Sequence, residues 1–426
     1  MKRPSLKIED LVQEPYTSCP NCSRVAFGVH VWVGDHVYTK TCIKCGHEQR
    51  HNLPPIKKRV IYLDQNAISE MMKSIHSDTS ERTRKRLDPF WLQLFNKLDR
   101  LQKLRLIVCP KSTYHTHESV VDDRSAALER MIDQLSGDVS FFDSVTIRRF
   151  QLHEGVHALL EGRQFNLQTI DSVSHGDQSK WGPSMMIRIV GTMPADLVAD
   201  IISSRDEVAD GISEVFKRWQ CEKDQKFEDW YREETLGFGR GIATAVEQRL
   251  KRHLEIQSGG EWTLDDILPS SGQEMFSTIV EAHKYTGYSL TDAITKTWEL
   301  LGTTKVDIVP FVWIGSMLWA AVARKAAAGQ KRLPSRGMAS DIRMVSDLLP
   351  YCDTMFVDNE VSALLKESPL DRISETFNTE VFSLNNQEEF IRYLDEIESS
   401  ASEEHLVLVE EVYGTREPKP YRSMYE

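Results

Sequence analysis

The sequence predicts an α/β fold: a parallel sheet flanked by helices, with a mostly helical insertion and a small N-terminal module. Three observations predict the architecture. Short apolar runs close at turn signals: Val60-Ile61-Tyr62-Leu63, Leu106 to Cys109, and Met355-Phe356-Val357. Such runs read as strands buried on both faces. A long stretch of helical periodicity separates the second run from the third. Two C-x-x-C pairs precede all of them.

Taken in chain order, the cysteine pairs come first. Cys19-Pro-Asn-Cys22 and Cys42-Ile-Lys-Cys45-Gly46 are separated by 19 residues. Between them Val29, Val31 and Val33 alternate, Gly34-Asp35 turns, and Val37 and Tyr38 lead back. That is a hairpin between two thiolate knuckles, the layout of a four-cysteine zinc ribbon. Each C-x-x-C turn aims two thiolates at one tetrahedral ion, and Gly46 permits the tight turn behind the second pair. Four thiolates leave no open coordination position, so this Zn²⁺ at Cys19, Cys22, Cys42 and Cys45 is expected to be structural. His30, Trp32, His36, Lys40 and Lys44 are candidates for touching nucleic acid, with a plain solvated hairpin face as the alternative. Lys57-Lys58-Arg59 reads as a solubilising linker into the first strand.

The strands carry the chemistry. In open parallel sheets, ligands sit beyond the carboxyl ends of the strands. Asp64 follows the first run and Asp358 the third. Pro110 follows the second run, and a helical stretch with Ser112 as its expected N-cap then carries Glu118. Asp341 opens the helical segment Ile342-Val345-Leu348-Leu349, which Pro350 stops. Carboxylates converging on one crevice repel each other unless cations lie between them. A divalent-metal site for hydrolysis follows. Each acid also has a plain alternative: helix capping for Asp64, an exposed helical position for Glu118, a first-turn acid for Asp341, an Asx turn for Asp358. Asp353 is a further acid able to replace Asp341.

The string IYLDQNAIS resembles the opening motif of PIN-domain nucleases: an apolar strand, an Asp, a spacer, an Asn, then a helix. The resemblance covers about residues 58–120 and 305–365. It implies Asp64 as a metal ligand and Asn66 as a hydrogen-bonding brace. It matches Glu118 in CPKSTYHTHES, and Asp341 and Asp358 in SDIRMVSDLLPYCDTMFVDNE, to the family's remaining acids. It implies Mg²⁺ or Mn²⁺ at these four residues, and RNA as a more usual substrate than DNA. The chain departs from the family in length between Glu118 and Asp341, which the insertion fills.

The expected organisation is therefore a zinc ribbon and linker (1–57), the first part of the PIN-like domain (58–120), the helical insertion (121–304), the second part (305–390) and a C-terminal extension (391–426). The insertion and the segment after it read as helices over Asp122–Leu135, Ser144–Leu160, Ala195–Trp230, Thr244–Ile256, Glu274–Leu301 and Phe311–Ala328. Gly237-Phe238-Gly239-Arg240-Gly241 reads as a hinge. Lys325 to Arg336 is a basic patch before Asp341, placed either to hold a substrate phosphate or to solvate a helix end. Residues 417–426 read as an extended tail.

His153-Glu154-Gly155-Val156-His157 raises a second reading. It matches H-E-x-x-H, two His one helical turn apart with a Glu as general base, so a zinc metalloprotease is the rival enzyme class. No second-helix ligand pattern follows, and the two His flank the apolar stripe Leu152/Val156/Leu159. A third class is a non-catalytic nucleic-acid or protein-binding module on the same fold.

Charge and cysteine usage bound the rest. The 426-residue chain has net charge −12, and its first 59 residues hold ten Lys/Arg against five Asp/Glu. The acidic body argues against broad phosphate-backbone affinity, so an anionic partner is expected first at the basic N-terminal segment. A nucleic-acid substrate, no membrane partner and a homo-oligomer as an open option complete the expectation. No apolar stretch spans a bilayer, no secretory signal precedes the ribbon, and the seven Cys show no disulfide framework. A cytoplasmic location is the expectation.

Overall fold

The computed structural model describes residues 12–31, 37–76, 79–119, 124–137, 139–181, 195–263, 266 and 268–414. The hairpin tip with Trp32, Val33, Gly34-Asp35 and His36, the start of the Asp122 helix and the 417–426 tail lie outside the described residues.

The N-terminal module is an antiparallel sheet of β1 (Gln13–Ser18), β2 (Val25–Val31), β3 (Val37–Cys42) and β4 (Glu48–Asn52), in that order. The body follows: β5 (Arg59–Leu63), α1 (Gln65–Ile75), α2 (Glu81–Arg84), α3 (Pro89–Lys103), β6 (Ile107–Val108) and α4 (Thr113–Ser119). Then come α5 (Ser125–Ser136), β7 (Ser140–Phe141), α6 (Ser144–Glu161), β8 (Ser174–His175), α7 (Ala195–Trp219), α8 (Phe227–Gln257), α9 (Ser271–Tyr285) and α10 (Leu290–Leu301). The chain returns through α11 (Pro310–Ala327), α12 (Met338–Leu348), β9 (Thr354–Phe356), α13 (Asn359–Leu365), α14 (Asp371–Phe377), β10 (Glu380–Phe382), α15 (Gln387–Ser399) and α16 (Glu403–Tyr413). Among the described residues, no helix is long and apolar enough to cross a membrane.

The second sheet is parallel, four-stranded, in the order β10-β9-β5-β6. Its first and third apolar runs are neighbours: Ile61 pairs with Thr354 and Leu63 with Phe356. The edge strand β10 is one the sequence reading lacks. Alternation sorts the strand residues onto two faces. Val60, Tyr62, Val108 and Met355 meet a core completed by α11, α12 and α13. Ile61, Leu63, Ile107 and Phe356 meet a core completed by α1, α3, α5 and α15. Both faces are covered, which is why these strands read as unbroken apolar runs.

The helical portion has its own core of Leu152, Val156, Ile242, Ile279, Leu301 and Val312. Three details differ from the sequence reading. The stretch 195–230 is broken after Trp219, where a polar run from Gln220 to Lys226 separates α7 from α8. The stretch 274–301 is broken at Gly287, and the Ser289 side chain caps the next helix. The expected hinge at Gly237–Gly241 is instead the interior of α8, which runs unbroken for 31 residues. The reason is packing: a Cβ on Gly239 would lie 2.0 Å from the Leu301 carbonyl oxygen. That glycine lets two helices touch and does not bend one.

The ribbon sits against the C-terminal helix. Val29, Tyr38 and Leu53 pack with Leu104, Trp181, Val409 and Val412. Lys40 Nζ meets the Glu411 carboxylate at 2.6 Å, and Trp181 Nε1 donates to the Pro54 carbonyl at 2.7 Å. Lys40 is thus a docking residue, whereas Lys44 is exposed. The basic linker differs from expectation too. Lys58 is buried, with its Nζ donating to the Lys180 carbonyl at 2.7 Å, and Arg59 begins β5, paired to Asp353 at 3.0 Å. Burial, with the Arg105 charge adding to it, pulls the Lys58 ammonium down to about 7.

Candidate functional site: an acidic cavity at the carboxyl edge of the sheet

The strand ends set the site. β5 runs out at Leu63, so Asp64 is the next residue and starts α1. Its amide donates to the Phe356 carbonyl at 2.9 Å, which ties the end of β5 to the end of β9. Asp358 follows two residues after β9 and caps α13, its carboxylate accepting the Glu360 amide at 2.6 Å. Glu118 comes from α4 and Asp341 from the first turn of α12. Ser340, beside Asp341, donates its hydroxyl to Glu118 at 3.3 Å.

All four acids, with Asn66, line one cavity of about 780 Å³. Gln65, Arg205, Asp206, Arg336 and Ser340 share its wall. Asp64, Glu118 and Asp341 are half-buried, and Asp358 is exposed at the mouth. Asp353 lies at the other end of β9, held by the Val60 amide at 2.8 Å and by Arg59, and does not line the cavity.

Electrostatics mark the cluster. Burial, then the charges of Glu118 and Asp358, push the Asp64 carboxyl up to about 7. Burial, then Asp64, Glu118 and Asp358, push Asp341 up to about 8. Glu118 is raised by burial and pulled back by Arg205 and by the Ser340 hydroxyl. These carboxylates sense one another, so a proton or a cation is the natural guest between them.

The walls beneath the acids are ordered by neutral and paired groups. The Ser112 amide donates to His115 Nδ1 at 3.2 Å, so Nε2–H faces the Leu63 carbonyl at 2.7 Å. Burial holds His115 at about 4, hence neutral. Its ring stacks on Tyr62, whose hydroxyl meets Ser112 Oγ at 2.7 Å. Ser112 also caps α4 by accepting the His115 amide at 3.4 Å. Gln65 braces the helix start, its Nε2 donating to Ser119 at 3.0 Å, and Asn66 is exposed at the cavity. A second network fixes α12 from behind: buried Asp347 binds Arg148 Nε at 2.8 Å and the Tyr114 hydroxyl at 2.6 Å. None of His115, Asp347 or Arg205 carries a sequence signal, because each sits in an ordinary helical pattern.

The cysteine cluster is the second candidate site. The Sγ atoms of Cys19, Cys22, Cys42 and Cys45 all lie within 4.8 Å of one another. Cys19 and Cys45 are 3.7 Å apart, and Cys22 and Cys42 are 3.6 Å apart. Sulfurs ~2.3 Å from a central ion at tetrahedral corners are about 3.8 Å apart, and a disulfide would need about 2.05 Å. Gly46, at φ +70°, makes the turn behind the second knuckle. The cluster is able to hold a metal ion and is compatible with tetrahedral zinc. Among the described residues it is the one group of three or more His, Cys, Asp or Glu gathered this tightly. The carboxylates of the cavity stand farther apart.

The rival His153/His157 pair is built differently. The rings lie 4.5 Å apart, edge-on to Tyr285 for His157. The Glu154 carboxylate is held by Arg163, with Nη2 at 3.1 Å, and by the Asn166 amide at 2.9 Å. The Arg163 hydrogen bonds keep Glu154 below the usual carboxylate range, the wrong direction for a poised general base.

No family model, no curated protein and no solved structure matches the chain.

Proposed function

We propose that the chain is a metal-dependent nuclease of PIN-like fold that hydrolyses phosphodiester bonds, RNA before DNA. What carries the reading is one observation: four carboxylates from separate segments line a single cavity at the carboxyl edge of a parallel sheet, and two of them are pushed towards neutral pKa by burial and by their neighbours. Hard oxygen donors around an open cavity suit Mg²⁺ or Mn²⁺. Asp64, Asp341 and Asp358 are the expected ligands, with Glu118 a ligand or the group that orients water. When bound, such an ion supplies charge neutralisation and acidifies water for in-line attack. Glu118, which accepts the Ser340 hydroxyl, would orient the attacking water. No side-chain nucleophile is required. The cysteine cluster completes the reading as structural zinc.

The test is incubation of the purified protein with RNA, single-stranded DNA and duplex DNA, with Mg²⁺, Mn²⁺ or chelator. Cleavage is expected with either ion and none with chelator. Asp64→Asn, Asp341→Asn and Asp358→Asn should each lower the rate by at least a hundredfold, and Glu118→Gln somewhat less. Glu154→Gln should leave the rate unchanged. Activity that survives Asp64→Asn and disappears with Glu154→Gln would overturn the nuclease reading in favour of a protease.

A further inference from the structure

The insertion does more than decorate the sheet. Its helix α7 is fixed at the C-terminal end, where Phe216 and Trp219 are buried in the core above the sheet and Gln220 Nε2 donates to the Gln330 carbonyl at 2.7 Å. The earlier part of the same helix crosses the acidic cavity. Arg205 and Asp206 line it, and Asp206 is bonded to Arg336 Nη1 at 3.1 Å, on the segment leading into α12. Of the residues lining that cavity, Arg205 and Arg336 are the two cations. They differ in setting. Arg336 is 84% exposed and engaged with Asp206, whereas Arg205 is half-buried on the Glu118 side, where its charge offsets part of the rise that burial gives Glu118 and adds to the burial that lowers His117.

We propose that Arg205 is a substrate-contacting residue, supplied by the insertion, whose guanidinium donates to the non-bridging oxygens of the scissile phosphodiester. The proposal rests on the nuclease reading of the cavity. The chemistry explains the need. Metal ions offset the carboxylates, but the reacting phosphate gains negative charge as water oxygen bonds to phosphorus and a P–O ester bond breaks. The products are a phosphate monoester and a hydroxyl, the leaving oxygen taking a proton. A fixed cation opposite the acids stabilises that added charge. A guanidinium presents a planar fork of donors matched to two phosphate oxygens, which an ammonium does not. Glu118, which feels the Arg205 charge, is the counter-charge that Arg205 shares the cavity with before substrate arrives.

The experiment compares wild type with Arg205→Ala and Arg205→Lys on a short single-stranded RNA with Mg²⁺. Arg205→Ala should cleave roughly a hundredfold more slowly, with Tm and bound Mn²⁺ unchanged. Added guanidinium at low millimolar concentration should restore part of the rate, methylammonium should not, and Arg205→Lys should recover part. In the cleavage-dead Asp64→Asn background, fluorescence anisotropy should show weaker RNA binding for the Arg205→Ala double variant, with a salt slope smaller by about one. If wild type cleaves and Arg205→Ala stays within twofold of it, the proposal fails and the nuclease reading stands. A rate loss with a lowered Tm and no guanidinium rescue also overturns it, as a structural effect. A wild-type protein inert towards every nucleic acid removes the nuclease reading and the proposal together.

Discussion

Asp64 is legible in the sequence because a strand-ending Asp before a helix is a local pattern, and the same holds for Asp358. What that pattern leaves out is the company each keeps. Arg205, His115 and Asp347 reach the site across large sequence separations, Asp347 through Arg148 and Tyr114, and nothing local marks them. Lys58 read as a solvated linker residue because burial of a lysine has no one-residue signature. The carboxylate cluster has a thermodynamic consequence. Asp64 and Asp341 are raised to about 7 and about 8 in the folded protein, against about 3.9 in an unfolded chain. The folded state then binds more protons than the unfolded one between about pH 4 and pH 8, so stability falls as pH rises through that window. In chelator, Tm should be higher at pH 5.5 than at pH 8. Asp64→Asn should flatten the dependence and raise Tm at pH 8, and Mg²⁺ should do the same for wild type. A chelated protein that gains stability from pH 5.5 to pH 8 contradicts this, and differential scanning calorimetry decides it.

At the level of elements, strands β5, β6 and β9 were visible as apolar runs because each is buried on both faces. β10 was not, since Glu380-Val381-Phe382 is short and has one polar end on a sheet edge. Helix content was legible from periodicity, but helix breaks were not: Gln220–Lys226 stays polar without a strong breaker, and Gly287 sits in a stretch whose flanks both read as helical. The glycine run in α8 misled in the opposite sense. Its members have different jobs, which yields predictions of opposite sign. A Cβ at Gly239 would press on the Leu301 backbone at 2.0 Å, whereas at Gly241 it would meet nothing within 4 Å. Gly239→Ala must push α8 and α10 apart and should cost about 1–3 kcal/mol. Gly241→Ala, on an exposed turn of the same helix, should stabilise by about 0.5–1 kcal/mol through reduced chain entropy. Urea denaturation of the two variants reads both numbers. Equal effects would mean the contact with Leu301 does not constrain the helix pair.

For the molecule as a whole, the gathering of the four cysteines was legible and the module's placement was not, because C-x-x-C spacing brings thiols together but says nothing about which surface the hairpin meets. The hairpin face meets α16 through Val29, Tyr38, Val409 and Val412, with Lys40 and Glu411 paired beside them. The two cores that cover the parallel sheet contain no ribbon residue. Metal loss should therefore travel along one route. A module that holds an ion at these cysteines should unfold without it, since metal binding and folding of such modules are one equilibrium. Helix α16, 11 residues long, then loses the apolar face it packs on, and an isolated helix of that length is marginal in water. Cys42→Ser should thus release residues 403–413 along with 19–50, while β5 and β9 keep their protection. Hydrogen exchange followed by mass spectrometry would show fast exchange in both outer segments and slow exchange over 59–63 and 354–356. Elemental analysis should return one zinc per wild-type chain and none for the variant. No ribbon residue lines the acidic cavity, so Mg²⁺-dependent cleavage should persist in the variant. Loss of protection in β5 would show that the ribbon stabilises the sheet itself, and an α16 that stays protected would show that it is held by Leu104, by Trp181 and by the Arg105 guanidinium over the Tyr413 ring without the ribbon's help.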